Sequence, residues 1–131
     1  MSNVENELRA ALDAIEAAFA RGVTPAELME LMYYDEIVAV GEGDASAQRG
    51  FAEVLNQANA MVPAYGPKPF VRFRISSPIL ATEALAVAMI DTELRPDVPG
   101  AAPWISRMMS AWRPGPRGWR IVREMYQNGS L

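Results

Sequence analysis

The chain contains no cysteine and no histidine among its 131 residues. The lack of cysteine excludes a disulfide framework, a thiol nucleophile and a thiolate metal site. The lack of histidine excludes an imidazole base, a Ser-His-Asp arrangement and most zinc or non-haem iron sites. The stretch Gly41-Glu-Gly43 lacks the third glycine of a dinucleotide-binding loop, and neither a phosphate loop nor a calcium-binding loop is present. We therefore expect neither a metal nor a cofactor.

Long apolar runs are also missing, since none approaches the roughly 18 residues that a membrane span requires. Residues 1–7 are acidic and lack the basic flank and apolar core of a signal peptide. The net charge of −4 argues against nucleic acid as the main partner. These features predict a cytoplasmic protein that binds neither a membrane nor a nucleic acid.

The residues that are present are typical of a single globular domain spanning residues 1–131. Half of them are hydrophobic and 21% are charged, which separates the chain from disordered sequences. A chain of this length can bury roughly two-thirds of the surface that its unfolded form exposes.

The first half of the chain predicts three helices. A first helix ends at Gly22, and Thr24-Pro25-Ala-Glu27 has the spacing of a capped start for a second, which ends around Tyr33–Tyr34. A third helix is predicted from Ala47, with Pro63 ending it. The apolar stripe of the first helix recurs at helical spacing and comprises Leu8, Leu12, Ile15 and Phe19.

The remainder of the chain predicts a sheet built around the stretch Ala84–Leu94, which contains the apolar run Ala84–Ile90. The segments on either side read as strands separated by Pro/Gly turns, so we interpret this run as a buried strand and not as a helix. The predicted strands are Asp35–Gly41, Phe70–Ser76, about Ile79–Arg95, Trp104–Arg113 and Trp119–Tyr126. The order α-α-β-α-β-β-β-β predicts an α+β fold, with three helices in the concave face of a strongly curved, mainly antiparallel sheet. Such a cone would be closed by apolar side chains at its narrow end and open as a pocket at its wide end.

Three stretches resemble the nuclear-transport-factor-2-like superfamily, which includes SnoaL-like and ketosteroid-isomerase-like proteins. The first stretch is Leu12–Asp35, which contains two helices and ends in an aromatic-acid pair. The second is Ile37–Phe51, in which Arg49-Gly50 opens the third helix, and the third is the closing strand Gly118-Trp-Arg-Ile-Val-Arg-Glu-Met125. The resemblance implies a cone-shaped barrel with a cystatin-like fold, an apolar pocket and a homodimer formed through the outer sheet face. It implies no single reaction, because this fold hosts isomerases, dehydratases, cyclases and non-catalytic association domains.

Two carboxylates are candidates for catalysis in this framework. Glu42 falls near the general base of the resembled family, and a carboxylate at an apolar pocket mouth would have a raised pKa. The alternative for Glu42 is an exposed loop acid between two glycines. Asp91 could be a protonated hydrogen-bond donor in the pocket. Alternatively, it could pair across strands with Arg72, Arg74 or Arg107 on the outer face.

Arg123 shares the parity of Trp119 and Ile121, so it is predicted to face inward wherever those side chains form the core, and a buried arginine needs an anion. Methionines and Trp104 could line a deformable pocket for a flat apolar ligand. The predicted pocket-lining residues are Tyr33, Tyr34, Met61, Met89, Trp104, Met108, Arg123 and Met125.

Three functions follow from these patterns. The first is a homodimeric domain that binds a small apolar or amphipathic molecule. The second is a cofactor-independent isomerase, dehydratase or cyclase that uses a carboxylate base. The third is a non-catalytic association domain with a vestigial pocket. Two acidic or phenolic groups that meet within hydrogen-bonding distance inside a cavity would favour the enzyme.

Overall fold

The structure is a computed structural model, and it describes residues 3–129. Within this range the chain forms three helices and seven strands in one sheet. The helices are α1 (Asn3–Arg21), α2 (Pro25–Met32) and α3 (Phe51–Tyr65). The strands are β1 (Tyr33–Gly41), β2 (Gln48–Arg49), β3 (Phe70–Ile75), β4 (Leu80–Ala81), β5 (Ala86–Arg95), β6 (Trp104–Arg113) and β7 (Arg120–Asn128).

The sheet has the order β2-β1-β7-β6-β5-β3, and β4 pairs with β5. Every pair is antiparallel except β1 and β7, which run parallel. The helices bury their apolar residues with one face of this sheet in a common core. The α+β class and the mainly antiparallel sheet are therefore as predicted.

Local signals explain how the helices begin and end. The Thr24 hydroxyl accepts a hydrogen bond from the Glu27 backbone N–H at 3.2 Å, which is the N-cap bond of the capping box, and it also donates to the Glu27 carboxylate at 3.1 Å. The helix α1 covers the sheet edge formed by β3. The Glu16 carboxylate accepts the Phe73 N–H at 2.8 Å, and Arg9 donates to the Phe73 carbonyl at 3.0 Å. Side chains of α1 thus bind backbone groups that an edge strand would otherwise leave open.

The bounds of two predicted elements are corrected by the structure. The predicted central strand divides into β4 and β5, because a turn at residues 82–85 closes a short hairpin in which the Thr82 N–H donates to the Leu85 carbonyl at 2.8 Å. The third helix begins at Phe51 rather than Ala47, since Gln48 and Arg49 pair with β1 and Gly50 has a φ of 86°. It also continues past Pro63 to Tyr65, where the Gly66 N–H caps the Val62 carbonyl.

The inner face of the sheet has a filled end and a cavity end. The filled end consists of side chains with almost no exposure from β5, β6 and β7, namely Ala86, Ala88, Ser110, Trp112 and Ile121. The cavity end lies along the same strands in the opposite direction, where Thr92, Ser106 and Asn128 face a hollow. No helix within residues 3–129 is both long and apolar enough to cross a bilayer.

Candidate functional site

A cavity of about 300 Å³ lies between the inner face of the sheet and the helices α2 and α3. Most of its wall is apolar or aromatic, and a few polar side chains enter it from neighbouring strands. The apolar and aromatic residues are Phe19, Leu28, Met29, Met32, Ala39, Val54, Ala58, Met61, Val71, Phe73, Leu94, Trp104 and Met108. The polar residues and tyrosines are Tyr33, Gln48, Gln57, Tyr65, Thr92, Ser106, Glu124, Tyr126 and Asn128. This combination is typical of a small-molecule site.

Glu124 is the single charged side chain that lines this cavity within residues 3–129. It is only 7% exposed, and the Tyr33 hydroxyl lies 3.0 Å from each of its carboxylate oxygens as a donor. Burial raises the pKa of Glu124 to about 7, and the hydrogen bond from Tyr33 opposes this shift because it favours the ionised form. The carboxyl group therefore changes its protonation state near neutral pH.

Two further tyrosines lie close enough to Glu124 to be affected by its charge. Gln57 donates through Nε2 to the Tyr126 hydroxyl at 3.0 Å, and the Tyr126 proton has no acceptor among the described residues. Burial, then Asp44 and Glu124, raise the pKa of Tyr126, with Gln57 opposing. Burial also raises the pKa of Tyr65, which packs against Trp104 with ring centroids 5.3 Å apart. Both phenols thus stay protonated at neutral pH.

A β-bulge in β7 turns Glu124 inward. Trp112 pairs with Ile121, but the next residue of β6, Ala111, pairs with Arg123, so Val122 is an extra residue in β7. Ile121 and Val122 are both buried, which shows the local break in alternation. Beyond the bulge, the even-numbered residues Glu124, Tyr126 and Asn128 face the cavity.

Gly41 allows Tyr126 its position over the end of β1. The two residues are direct neighbours in the parallel β1–β7 pair, and a methyl group added at Gly41 would overlap the Tyr126 ring. Because glycine has no side chain, the Tyr126 ring can lie directly against the backbone of β1 at this point.

Comparisons with known proteins agree with this architecture. No family model and no curated protein matches the sequence. Among solved structures, a ketosteroid isomerase-like protein from Erwinia carotovora atroseptica superposes with a TM-score of 0.73 at 20% identity, covering 100% of both chains. A nuclear transport factor 2-like superfamily protein from Salmonella enterica gives 0.73 at 19% identity, covering 98% of this chain and 92% of that one. A protein assigned as a calcium/calmodulin-dependent protein kinase type II association domain, from Thiobacillus denitrificans, gives 0.69 at 20% identity over 93% and 94%.

The chain has the nuclear-transport-factor-2-like fold. The resemblance seen in the sequence is thereby confirmed at the level of the fold. Identities this low carry no reaction, so function has to be argued from the cavity.

In this nuclear-transport-factor-2-like fold, four of the predicted pocket residues line the cavity: Tyr33, Met61, Trp104 and Met108. Tyr34 does not, because the strand β1 places successive side chains on opposite faces. The Tyr34 hydroxyl instead donates to the Gly118 carbonyl at 2.5 Å, and its ring lies under the guanidinium groups of Arg113 and Arg117.

The structure corrects the placement of three other predicted pocket residues. Arg123 and Met125 face outward because the bulge in β7 reverses the parity on which their prediction depended. The Arg123 guanidinium donates to the Glu36 carbonyl at 3.0 Å, and Met125 is 62% exposed. Met89 belongs to the outer parity of β5, opposite to Ala88 and Ile90 of the core.

Both carboxylates predicted to be catalytic also lie outside the cavity. Glu42 is exposed at the end of β1, where its carboxylate accepts the Asn128 N–H at 3.2 Å. Asp91 has the parity of Met89 and accepts a hydrogen bond from Arg74 at 2.6 Å, which is the cross-strand ion pair considered as the alternative. Neither residue reaches the space that Glu124 faces.

Sequence reasoning missed Glu124 and its phenolic neighbours Tyr65 and Tyr126. The sequence contains one related feature, since the two adjacent apolar residues Ile121-Val122 interrupt the alternation of this strand. With a bulge at that doublet the alternation places Glu124 inside, but the doublet alone does not predict the bulge.

Proposed function

We propose that this protein is a homodimeric domain that binds a small uncharged molecule in its cavity and transfers a proton on it, with Glu124 as the base. The observation that carries the proposal is the buried Tyr33–Glu124 pair in a wall of otherwise apolar character. A carboxyl with a pKa near the working pH is suited to take up and return a proton. The reaction class is that of a cofactor-independent isomerase.

The proton transfer can be written with the residues of the cavity alone. The ionised Glu124 removes a proton from the carbon next to a substrate carbonyl. The Tyr126 hydroxyl, whose oxygen Gln57 holds, donates a hydrogen bond to the carbonyl oxygen, where negative charge develops. Glu124 then returns the proton to another atom of the same molecule, so no group has to leave or enter. Tyr33 stabilises the ionised state of Glu124 between these steps.

The exchange of carbon-bound hydrogen in D2O tests this proposal without a known substrate. Indan-1-one is a suitable probe because it is flat, uncharged and has acidic protons beside its carbonyl. The protein should accelerate loss of these protons in the NMR spectrum, and the rate should rise with pH around the Glu124 pKa of about 7. Glu124→Gln should return the rate to that of buffer.

Glu42→Gln is the matched control, since it makes the same change in an exposed carboxylate of the same chain. It should exchange indan-1-one as fast as the parent protein. Unchanged exchange in Glu124→Gln, or loss of exchange only in Glu42→Gln, would contradict the proposed role.

The homodimer part of the proposal is supported by an apolar band on the outer sheet face. Val40, Met125, Met109 and Met89 are direct cross-strand neighbours on β1, β7, β6 and β5, so they form one continuous row. Met109 is 51% exposed and Met125 is 62% exposed, and a contiguous exposed apolar patch is a feature of interaction sites. Charged residues lie on both sides of the row, among them Arg123 and Arg107, as expected for a polar rim.

Light scattering tests the dimer, which should have twice the chain mass of 14.4 kDa. Met109→Glu places a charge at the centre of the row and should give monomers at micromolar concentration. Met109→Leu keeps the apolar surface and should remain dimeric. A monomeric parent protein would contradict this part of the proposal without affecting the cavity chemistry.

The third function considered, a purely associative domain, is less well supported. A cavity that retains a buried carboxylate with a hydrogen-bonded tyrosine is costly for a structure that needs only a filled core. The outer apolar row supports self-association, but association by that face leaves the cavity free to bind a ligand.

A further inference from the structure

The two serines on the inner face of β6 differ in their hydrogen bonds. Ser110 lies at the filled end, where its hydroxyl accepts from the Trp112 Nε1–H and donates to the Ala88 carbonyl at 3.2 Å. Ser106 lines the cavity, and its hydroxyl has no hydrogen-bond partner among the described residues. Within the same residues, the one unpartnered side-chain oxygen that the protein closes off belongs to Gln48, so the Ser106 hydroxyl is accessible. It is free to bind a group that enters the cavity.

Thr92 of β5 places a second free hydroxyl beside Ser106. The two residues are direct cross-strand neighbours on the inner face, and both line the cavity. The Thr92 hydroxyl also has no hydrogen-bond partner within the described part of the chain, and it is likewise not closed off. Direct neighbours in an antiparallel pair have Cβ atoms about 4.5–5.5 Å apart, so one ligand group can contact both side chains. Thr92 and Ser106 thus form a hydroxyl pair.

This hydroxyl pair interrupts an otherwise apolar part of the wall. Ile90 and Met108 form the next inner row toward the filled end, and Leu94 and Trp104 form the next row on the other side. The cavity-lining residues within the described range include neither lysine nor arginine, so a charged ligand group would find no counter-charge there. Hydroxyl groups both donate and accept, so the pair is complementary to a group that does the same, which is a ligand hydroxyl.

The hydroxyl pair lies at a distance from the proposed base that a small ligand can bridge. Glu124 is the cross-strand neighbour of Ser110, and Ser106 precedes Ser110 by four residues on β6. Four residues of an antiparallel strand span roughly 13–14 Å between their backbones. One inner row, formed by Met108 and Tyr126, lies between them. Since the side chains at both ends extend into the cavity, a molecule of two fused rings can reach from the carboxylate to the hydroxyl pair.

We infer that Thr92 and Ser106 bind a hydroxyl group of the substrate, at the end of the molecule remote from the carbonyl on which Glu124 acts. The substrate class is an uncharged compound in which a ring system separates a carbonyl group from a hydroxyl group. This inference rests on the proposed function for the position of the carbonyl end. The recognition of the remote hydroxyl group depends on the hydroxyl pair alone.

Two probes of the same shape test the inference: 5-hydroxyindan-1-one and 5-methylindan-1-one, which carry a hydroxyl or a methyl group at the same position, remote from the carbonyl. Affinities are measured by NMR titration. The parent protein should bind the hydroxy compound about threefold or more tightly than the methyl compound, because the hydroxyl pair replaces the hydrogen bonds that the compound loses with water. Equal affinities, a preference for the methyl compound, or no binding of either probe would overturn the inference.

The double variant Thr92→Val/Ser106→Ala removes both hydroxyls. It should prefer the methyl compound, so the ratio of the two affinities should change by about tenfold or more. Ser106→Ala alone should change the ratio in the same direction by a smaller factor, and circular dichroism verifies the fold of each variant. A preference for the hydroxy compound that persists in the folded variants would overturn the inference.

Ser76→Ala is the matched control, since it makes the same change in a serine that does not line the cavity. The Ser76 hydroxyl donates to the Met89 carbonyl at 3.2 Å. This variant should bind both probes as the parent protein does. A change in the ratio as large as that in Ser106→Ala would contradict the assignment to the hydroxyl pair.

Glu124→Gln separates this inference from the proposed function. The variant keeps the hydroxyl pair, so it should retain the preference for the hydroxy compound while it loses hydrogen exchange. Exchange of indan-1-one by the parent protein without any preference between the two probes would support the proposed function and overturn the role of the hydroxyl pair. A preference without exchange in the parent protein would support the hydroxyl pair and overturn the proposed function.

Discussion

The two tryptophans at either end of β6 show how differently the two ends of the same strand are used. Trp104 and Trp112 have the same parity and both face inward. Trp112 is completely buried at the filled end, where its Nε1–H donates to the Ser110 hydroxyl at 2.8 Å. Trp104 is only partly buried at the cavity end, beside Tyr65. One end therefore stabilises the fold, and the other leaves space for a ligand.

The hydrogen bonds of the two ends differ in the same way. At the filled end, the Ser110 hydroxyl accepts from Trp112 and donates to the Ala88 carbonyl at 3.2 Å, so its hydrogen-bonding capacity is used within the protein. At the cavity end, the Tyr126 hydroxyl accepts from Gln57 and retains a proton with no acceptor among the described residues. The cavity end pairs its polar groups only in part, as expected where a ligand supplies the remainder.

The largest expected effect is a difference in stability between alanine variants of the two tryptophans. Trp112→Ala should lower the free energy of unfolding by roughly 3–5 kcal/mol, because it leaves a cavity in a closely packed region. Trp104→Ala should cost clearly less, since its ring already borders open space. Urea unfolding of both variants measures the difference. Equal losses would contradict the division into a filled end and a cavity end.

Glu124→Gln should raise stability at high pH and remove part of its pH dependence. The folded-state pKa of about 7 lies above the ordinary value of 4.5, so the folded protein holds this proton more tightly. Its contribution is complete below pH 4.5 and is lost as the pH rises to about 7, a difference of about 3 kcal/mol. Unfolding at pH 5 and pH 8 should therefore differ less in Glu124→Gln than in the parent protein. Glu42→Gln should change this difference little, and an identical pH dependence in Glu124→Gln would refute the buried carboxyl.

Tyr33→Phe removes the hydrogen bond that favours the ionised form of Glu124. The pKa of Glu124 should then rise further, and stability should fall by about 1.5–3 kcal/mol at pH 8 but little below pH 5. The hydrogen-exchange rate of indan-1-one should reach its half-maximum at a higher pH. A loss of stability that is equal at both pH values would indicate a packing role instead. Tyr34→Phe provides the control, because that hydroxyl donates to Gly118 outside the cavity.

Asp91→Asn should have the smallest effect of this series on the hydrogen exchange of the probe. The Asp91 side chain is 8% exposed and its partner Arg74 is 70% exposed, so the pair is open to solvent on the Arg74 side, on the outer face of the sheet. Exchange of indan-1-one and its pH profile should be unchanged, since Asp91 faces away from the cavity. A tenfold loss of exchange would return Asp91 to the list of catalytic groups.

The sequence predicted the elements of this fold well because its periodicity reports burial directly. In β3, for example, Val71 and Phe73 alternate with Arg72 and Arg74 in the sequence, and both apolar side chains are buried. It failed where a backbone irregularity reversed the alternation. The bulge at Ile121-Val122 exchanged Arg123 for Glu124 on the inner face, and with it the charge of the candidate site. Strand parity can be read from a pattern, but a bulge depends on how β6 and β7 pair in three dimensions.

Direct titration of the Glu124 carboxyl tests the central claim most simply. In protein labelled with 13C at glutamate side chains, Glu124→Gln identifies the signal by its disappearance. This signal should titrate with a midpoint of about 7, well above the ordinary value of 4.5. A midpoint near 4.5 would mean that the carboxyl is hydrated and outside the cavity, and it would contradict both the site and the proposed chemistry.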